Sequence, residues 1–280
     1  TGKNVVLSPP DFMLQQVMMM LPATAFVWLA GLWHLLGGRG GRRHRFVGAA
    51  YLILLALMLF LKAKDYYLAP IYPILFAAGA VWWEGLFERF RTLRFLKVVA
   101  SALIIGLGAA VAPVVLPVLP VERLLPYQEA LGLRPPKAEV GHEGVLQQLY
   151  GDQFGWEEMV AKVAGVYHSL PPEERAGAAI FANNYGEAGA VDFFGERYGL
   201  PKAVSPHQSY FLWGHRGYTG EVMVVLGDER EDAEEHFRSV EEGPEVNHPY
   251  SMKEEKYRIL VCRGLRRPLP EMWPKLKHWN

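Results

Sequence analysis

The chain has 280 residues, 51% apolar and 21% charged, and its 29 basic and 29 acidic side chains balance to zero. That neutral balance gives no reason to expect nucleic acid as a partner. A single cysteine, Cys262, excludes an intrachain disulfide.

Phe12 to about Pro120 is mostly apolar, whereas Val121 to Asn280 reads as an ordinary soluble domain with an excess of Glu and Asp. Thr1–Asp11 is a polar lead-in. The start at Thr1, without a signal peptide, suggests an excerpt or a cleavage product of a longer membrane protein. Phe12–Leu36 is the first apolar run, with Gln15 and Gln16 in its first turn and Pro22 inside it, where a kink is expected. Trp28, Trp33 and His34 sit toward its far end, as interfacial anchors do. Residues 37–45 are basic with no acid. Phe46–Leu61 is the second run, extended by the stem of Lys62. Leu61–Pro73 is a polar and aromatic hinge. Leu68–Phe87 is the third run, with Pro70 and Pro73 in its first turns and Trp82 and Trp83 marking its end. Glu84–Lys97 carries Arg89, Arg91, Arg94 and Lys97. Phe95 to about Pro120 is the fourth run, in which Gly106 and Gly108 permit close helix packing.

A membrane-crossing helix needs roughly 20 apolar residues. The expected fold is therefore a polytopic α-helical membrane region over 1–120, with helices about 12–36, 46–61, 68–87 and 95–120, followed by a soluble α/β domain over 121–280. The arginine-rich loops 37–45 and 84–97 are expected in the cytoplasm. The hinge, the lead-in and residues 121–280 then lie outside, in a multi-pass protein of the cell (inner) membrane.

In the second half, Val121–Val140 is proline-rich and reads as a linker on the membrane surface. Gly155–Ser169 has helical apolar spacing. Gly177–Ala182, Glu221–Gly227 and Tyr257–Cys262 read as strands, and Cys262 as a small core side chain. Asn183–Ala190 opens a helix running to about Tyr198, and Asp228–Arg238 reads as an acidic helix. Alternating strands and helices predict a small three-layer α/β domain with a partly parallel sheet.

Three stretches have the composition of a site. In the hinge, Lys64, Tyr66 and Tyr67 offer a cation and hydroxyls where lipid head groups lie, suiting a lipid phosphate. A snorkelling lysine within an aromatic belt has the same composition. Asn184, Tyr185 and Glu187 follow a strand end, where open α/β sheets bind ligands and free helix amides favour anions. A small-residue turn that lets helix and strand pack reads the same way. Ser205–Tyr218, with His207, Gln208, Trp213 and Arg216, is an aromatic and basic loop suited to a sugar or phosphate, or to packing on a membrane or a neighbouring domain. The spacing of His207 and His215 does not make a metal site. No P-loop, HExxH or Ser-His-Asp order occurs.

Lys64-Asp65-Tyr66-Tyr67-Leu68-Ala69-Pro70-Ile71-Tyr72-Pro73 with its flanking runs resembles the C-terminal part of bacterial family 39 glycosyltransferases. These are similar to dolichyl-phosphate-mannose protein mannosyltransferases and to the aminoarabinose transferase of lipid A. Residues 185–195 (YGEAGAVDFFG) and 208–214 (QSYFLWG) extend the resemblance to the C-terminal domain of that group. It implies a GT-C fold and a transferase that moves a sugar from a polyprenyl-phosphate carrier to an acceptor at the outer face of the membrane. It places Lys64, Tyr66 and Tyr67 near the carrier phosphate, and calls for no cofactor and no metal. In the family the catalytic aspartate lies on an early extracytoplasmic loop that does not correspond to any stretch here, so no catalytic residue is assigned. The partners implied are membrane lipid, the lipid-linked sugar and the N-terminal membrane portion of the same enzyme. A non-enzymatic membrane-anchored module, whose outer domain binds a glycan or a partner protein, is the other reading. A transporter fragment fits less well, because the apolar runs lack paired ionisable residues.

Overall fold

The computed structural model describes residues 5–38, 40–133 and 144–279. The chain divides into two compact units, Asn4–Arg134 and Pro135–Asn280.

The first unit is helical: α1 (Pro9–Met19), α2 (Ala25–Leu36), α3 (Arg45–Phe60), α4 (Tyr72–Arg89), α5 (Phe95–Val115) and α6 (Val121–Ala130). Among the described residues two helices are long and apolar enough to cross a membrane, Arg42–Phe60 and Arg91–Val115, with mean hydropathies of 1.5 and 2.4. Only 6% of the apolar window of the second is buried, which water would not tolerate over such a length. Four such helices were expected, and two corrections apply. The run 12–36 is a pair of helices bent by 87° and makes a third span only if the pair counts as one. The bend falls where Leu21 takes a positive φ of 62° just before Pro22. The third run begins as a 3-10 turn, Asp65–Ile71, and its helix α4 includes Glu84, Glu88 and Arg89.

Helices α2 and α4 run antiparallel and touch through reciprocal glycines. A Cβ at Gly31 would lie 1.9 Å from the Leu75 carbonyl oxygen, and one at Gly79 would lie 1.9 Å from that of Val27. Trp83 Nε1 donates to Phe26 O at 3.2 Å along the same seam. Gly106 and Gly108, read as permitting close packing, meet no helix among the described residues. Gly106 faces open space, and a Cβ at Gly108 would find a single side-chain neighbour at 3.9 Å. Within the stretch expected as a linker, Val121–Ala130 is helical, and Tyr127 Oη donates to Ala110 O of α5 at 2.8 Å.

The second unit holds α7 (Gln148–Gly151), α8 (Trp156–Ser169), α9 (Pro172–Arg175), β1 (Ala179–Ala182), α10 (Tyr185–Phe194), β2 (Val222–Leu226), α11 (Arg230–His236), β3 (Phe237–Val246), β4 (Tyr257–Leu265) and α12 (Leu269–Leu276). The sheet order is β1-β2-β4-β3, with β1 and β2 parallel and the other pairings antiparallel. β1 and β2 are buried along their whole length, so both sheet faces are covered. Ile180, Val224 and Ile259 face Val160 and Val163 of α8 and Val191 of α10. Phe181, Met223 and Cys262 face Ala233 of α11 and Trp273 of α12. Three strands were expected, and the described residues form four. β3 escapes the apolar pattern because it is an exposed edge strand, irregular between Glu242 and Glu245 where Gly243 and Pro244 sit.

Candidate functional site

The hinge is built by the ends of α3 and α4. Helix α3 closes with Ala63 N donating to Met58 O at 2.9 Å and Lys62 N to Leu59 O at 3.3 Å. Lys62 takes φ 51°, the left-handed position that glycine usually fills at a helix end. Lys64 is extended and leads into the 3-10 turn. Its ammonium lies 5.8 Å from the Tyr66 ring centre, and the Tyr66 and Tyr67 rings meet edge-on at 5.0 Å. Both tyrosines are open to the surroundings, at 46% and 56% exposure. Lys64, Tyr66 and Tyr67 thus share one short turn at the end of α3.

What fixes this loop is a residue that reading passed over. Gln16 of α1 is fully buried, at 0% exposure. Its Nε2 donates to the Asp65 carbonyl oxygen at 2.9 Å, and its Oε1 accepts from Tyr72 Oη at 3.0 Å. Tyr51 Oη lies 3.3 Å from Tyr72 Oη. Because Tyr72 gives its single proton to Gln16, Tyr51 is the donor in that pair. Trp28 packs edge-on against Tyr72 at 5.3 Å. A chain from Tyr51 through Tyr72 and Gln16 to the Asp65 backbone therefore pins the first turn of the hinge, with both ends of the Gln16 amide satisfied inside an apolar unit. The signal was the pair Gln15-Gln16 in an apolar run, which also fits a helix end at the interface.

In the second unit the expected residues fall into two groups. Asn184 caps α10: its Oδ1 accepts from Glu187 N at 2.9 Å, while Glu187 Oε2 accepts from Asn184 N at 3.2 Å. Tyr185 N donates to His207 Nδ1 at 3.3 Å, and the two rings lie 5.0 Å apart. These amides are engaged within the fold, which is the geometry of a packing turn. Gly227 makes the close approach possible. It has φ 76°, and a Cβ there would lie 2.6 Å from Glu187 Oε1.

Glu187 is fully buried beside the Tyr257 phenol, and among the described residues its Oε1 has no partner in hydrogen-bond geometry. Burial is the main cause that pushes its carboxyl up to about 7, and the charge of Asp228 adds to it. Burial also raises Asp228 to about 6 and, with the Glu187 charge beside it, holds the Tyr257 phenol well above its ordinary range. Glu187 thus closes the first turn of α10 from inside the fold.

Trp213 and Arg216 belong to the second group, around Asp192. Asp192 Oδ1 accepts from Ala203 N at 2.8 Å and Oδ2 from Tyr210 Oη at 3.3 Å. The Arg216 guanidinium lies 3.9 Å from the same oxygen, and its Nε donates to Ala203 O at 3.1 Å. Trp213 meets Tyr210 at 4.5 Å, with Arg216 5.8 Å from its ring. Gln208, at φ 49°, leads from His207 into this group. Among the described residues no cluster of three or more His, Cys, Asp or Glu side chains could hold a metal ion. No protein-family model, no curated protein and no solved structure matches the chain.

Proposed function

We propose that this chain is the C-terminal portion of an integral-membrane glycosyltransferase of the GT-C type, similar to the family 39 enzymes. In this reading it moves a sugar from a polyprenyl-phosphate carrier to an acceptor at the outer face of the cell membrane. The observation that carries the reading is the pinned hinge, in which Lys64, Tyr66 and Tyr67 are held at the end of an apolar helix by the buried Gln16 network. A fixed cation with phenol hydroxyls beside it stabilises a departing lipid phosphate by charge and hydrogen bonds. The loops 37–45 and 84–97 are cytoplasmic and the second unit lies outside. The acceptor hydroxyl needs a base, which the N-terminal membrane portion of the same enzyme supplies.

The test is transfer by the complete membrane enzyme from a panel of radiolabelled polyprenyl-phosphate sugars. Lys64→Ala is expected to slow transfer about a hundredfold, the size of losing one preorganised charge partner. Unchanged transfer in the variant would remove the hinge from the chemistry. The second reading, a membrane-anchored module that binds a glycan or a partner protein, draws on the open rings of Tyr185 and Trp213, 52% and 57% exposed. Glycan binding that Lys64→Ala leaves intact and Trp213→Ala abolishes, with no transfer from any carrier, would favour it.

A further inference from the structure

We infer that the surface formed by the 3-10 turn Gln208–Trp213 and the C-terminal segment from α12 to Trp279 docks on the anionic head groups of the membrane that holds this chain. Two segments distant in sequence meet there. Gln208 N donates to His278 O at 3.0 Å and His278 N to Pro206 O at 3.3 Å. The His207 and His278 rings stack at 4.7 Å, and Phe211 stacks on Trp273 at 5.7 Å. Phe211 and Trp273 turn into the core, and their neighbours turn out. Leu212 is 71% exposed, Trp213 57% and Trp279 58%. A leucine and two tryptophans this open on one surface mark an interaction site.

The charge on this surface is net positive. Val204–Tyr218 carries Arg216 and no Asp or Glu, and Leu269–Trp279 carries Lys275 and Lys277 against the single acid Glu271 in the first turn of α12. The cations interleave with the rings: Arg216 lies 5.8 Å from Trp213, and the Lys277 ammonium lies 5.2 Å from Phe211 and 5.0 Å from Trp279. Arg216 is paired with Asp192 at 3.9 Å, so Lys275 and Lys277 carry the positive charge this surface presents to head groups. Indole rings among lysine and arginine match the boundary between acyl chains and acidic head groups. The bilayer is always within reach, because the apolar helix Arg91–Val115 belongs to the same chain. The inference requires a membrane and is independent of glycosyl transfer.

The full chain is reconstituted in nanodiscs, one copy per disc, with an environment-sensitive fluorophore on Leu212→Cys. Cys262 is fully buried, and its thiol is pushed up to about 12, so the parent chain stays unlabelled. In discs of phosphatidylcholine with phosphatidylglycerol, a lipid-borne nitroxide at head-group depth is expected to quench the label while aqueous acrylamide does not. A label on the exposed Glu173→Cys of α9 is expected to stay open to acrylamide. Lys275→Ala and Lys277→Ala are each expected to shift the docked-to-undocked ratio about fivefold toward undocked. Equal acrylamide quenching at both labels overturns the inference, as does equal shielding in purely neutral discs. Shielding from acrylamide without nitroxide quenching assigns the surface to a protein occupant and overturns it too.

Discussion

The two units of this chain solve the burial problem in opposite directions. In the first, α5 leaves almost all of its apolar window on the outside, while a glutamine and two tyrosines share the interior. In the second, the apolar strands β1 and β2 are wholly inside, and the surface carries paired charges such as Glu158 with Lys162. The difference fits hydrocarbon around the apolar helices of the first and water around the second. Where hydrocarbon surrounds a unit, apolar burial gives little drive, so close backbone contact and satisfied polar groups hold the helices. Where water surrounds it, apolar area does that work, and a buried charge is the liability.

The sharpest break of the comparison is at the glycine seam. Gly31→Ala drives a methyl into the Leu75 backbone, which cannot move without shifting α4. We expect a loss of about 3 kcal/mol, the upper end for overpacking, read as a lowered unfolding midpoint in detergent. The same change at Gly106, which faces open space, is expected to be silent. Equal effects at the two positions would contradict the seam.

A comparable effect of opposite sign is expected at Glu187. The unfolded side chain ionises near 4.5 and the folded one near 7. Between those values the unfolded state has lost a proton that the folded state keeps, so stability falls as pH rises through the window and the full cost is present above it. Glu187→Gln keeps the capping geometry without the charge. It is expected to stabilise the second unit by about 3 kcal/mol at pH 8 and by almost nothing at pH 4.5. Thermal unfolding across that range checks this, and a pH-independent effect would contradict it.

Much of the second unit could be read in advance. The strands of 177–182, 221–227 and 257–262 are short apolar runs bounded by glycine or charge, and the structure has strands there. β3 could not be read, because an edge strand need not be apolar and Gly243-Pro244 looks like a turn. In the first unit, composition shows which segments are apolar but not which faces meet. Gly106 and Gly108 have the spacing of a contact, yet the seam uses Gly31 and Gly79, one from each of two helices. The break between α3 and α4 was legible as a polar stretch between apolar runs, and its anchor Gln16 was not, because its partners Asp65 and Tyr72 lie 49 and 56 positions away. Trp213 and Arg216 were read in one stretch with His207, but His207 turns to Tyr185 while their own partners are Asp192 and Tyr210.

Gln16→Leu tests that anchor. It leaves the Tyr72 hydroxyl and the Asp65 carbonyl without their buried partner, at a cost of about 2 kcal/mol. The expected readout is faster proteolysis at the hinge with a smaller loss in global stability. Unchanged hinge protection would contradict the pin. The smallest effect is expected on the wet surface. Glu158→Gln removes an exposed ion pair and is expected to change the unfolding free energy by less than about 0.5 kcal/mol.

The proposed orientation carries the functional reading, and one measurement tests it most directly. Lys64→Cys and Arg43→Cys are placed separately in the full chain in intact cells and treated with a membrane-impermeant thiol reagent. Cys262 stays silent because it is fully buried. Labelling of Lys64→Cys from outside, with Arg43→Cys labelled only after permeabilisation, is the predicted result. Labelling of Arg43→Cys in intact cells while Lys64→Cys stays protected until the membrane is opened would contradict it.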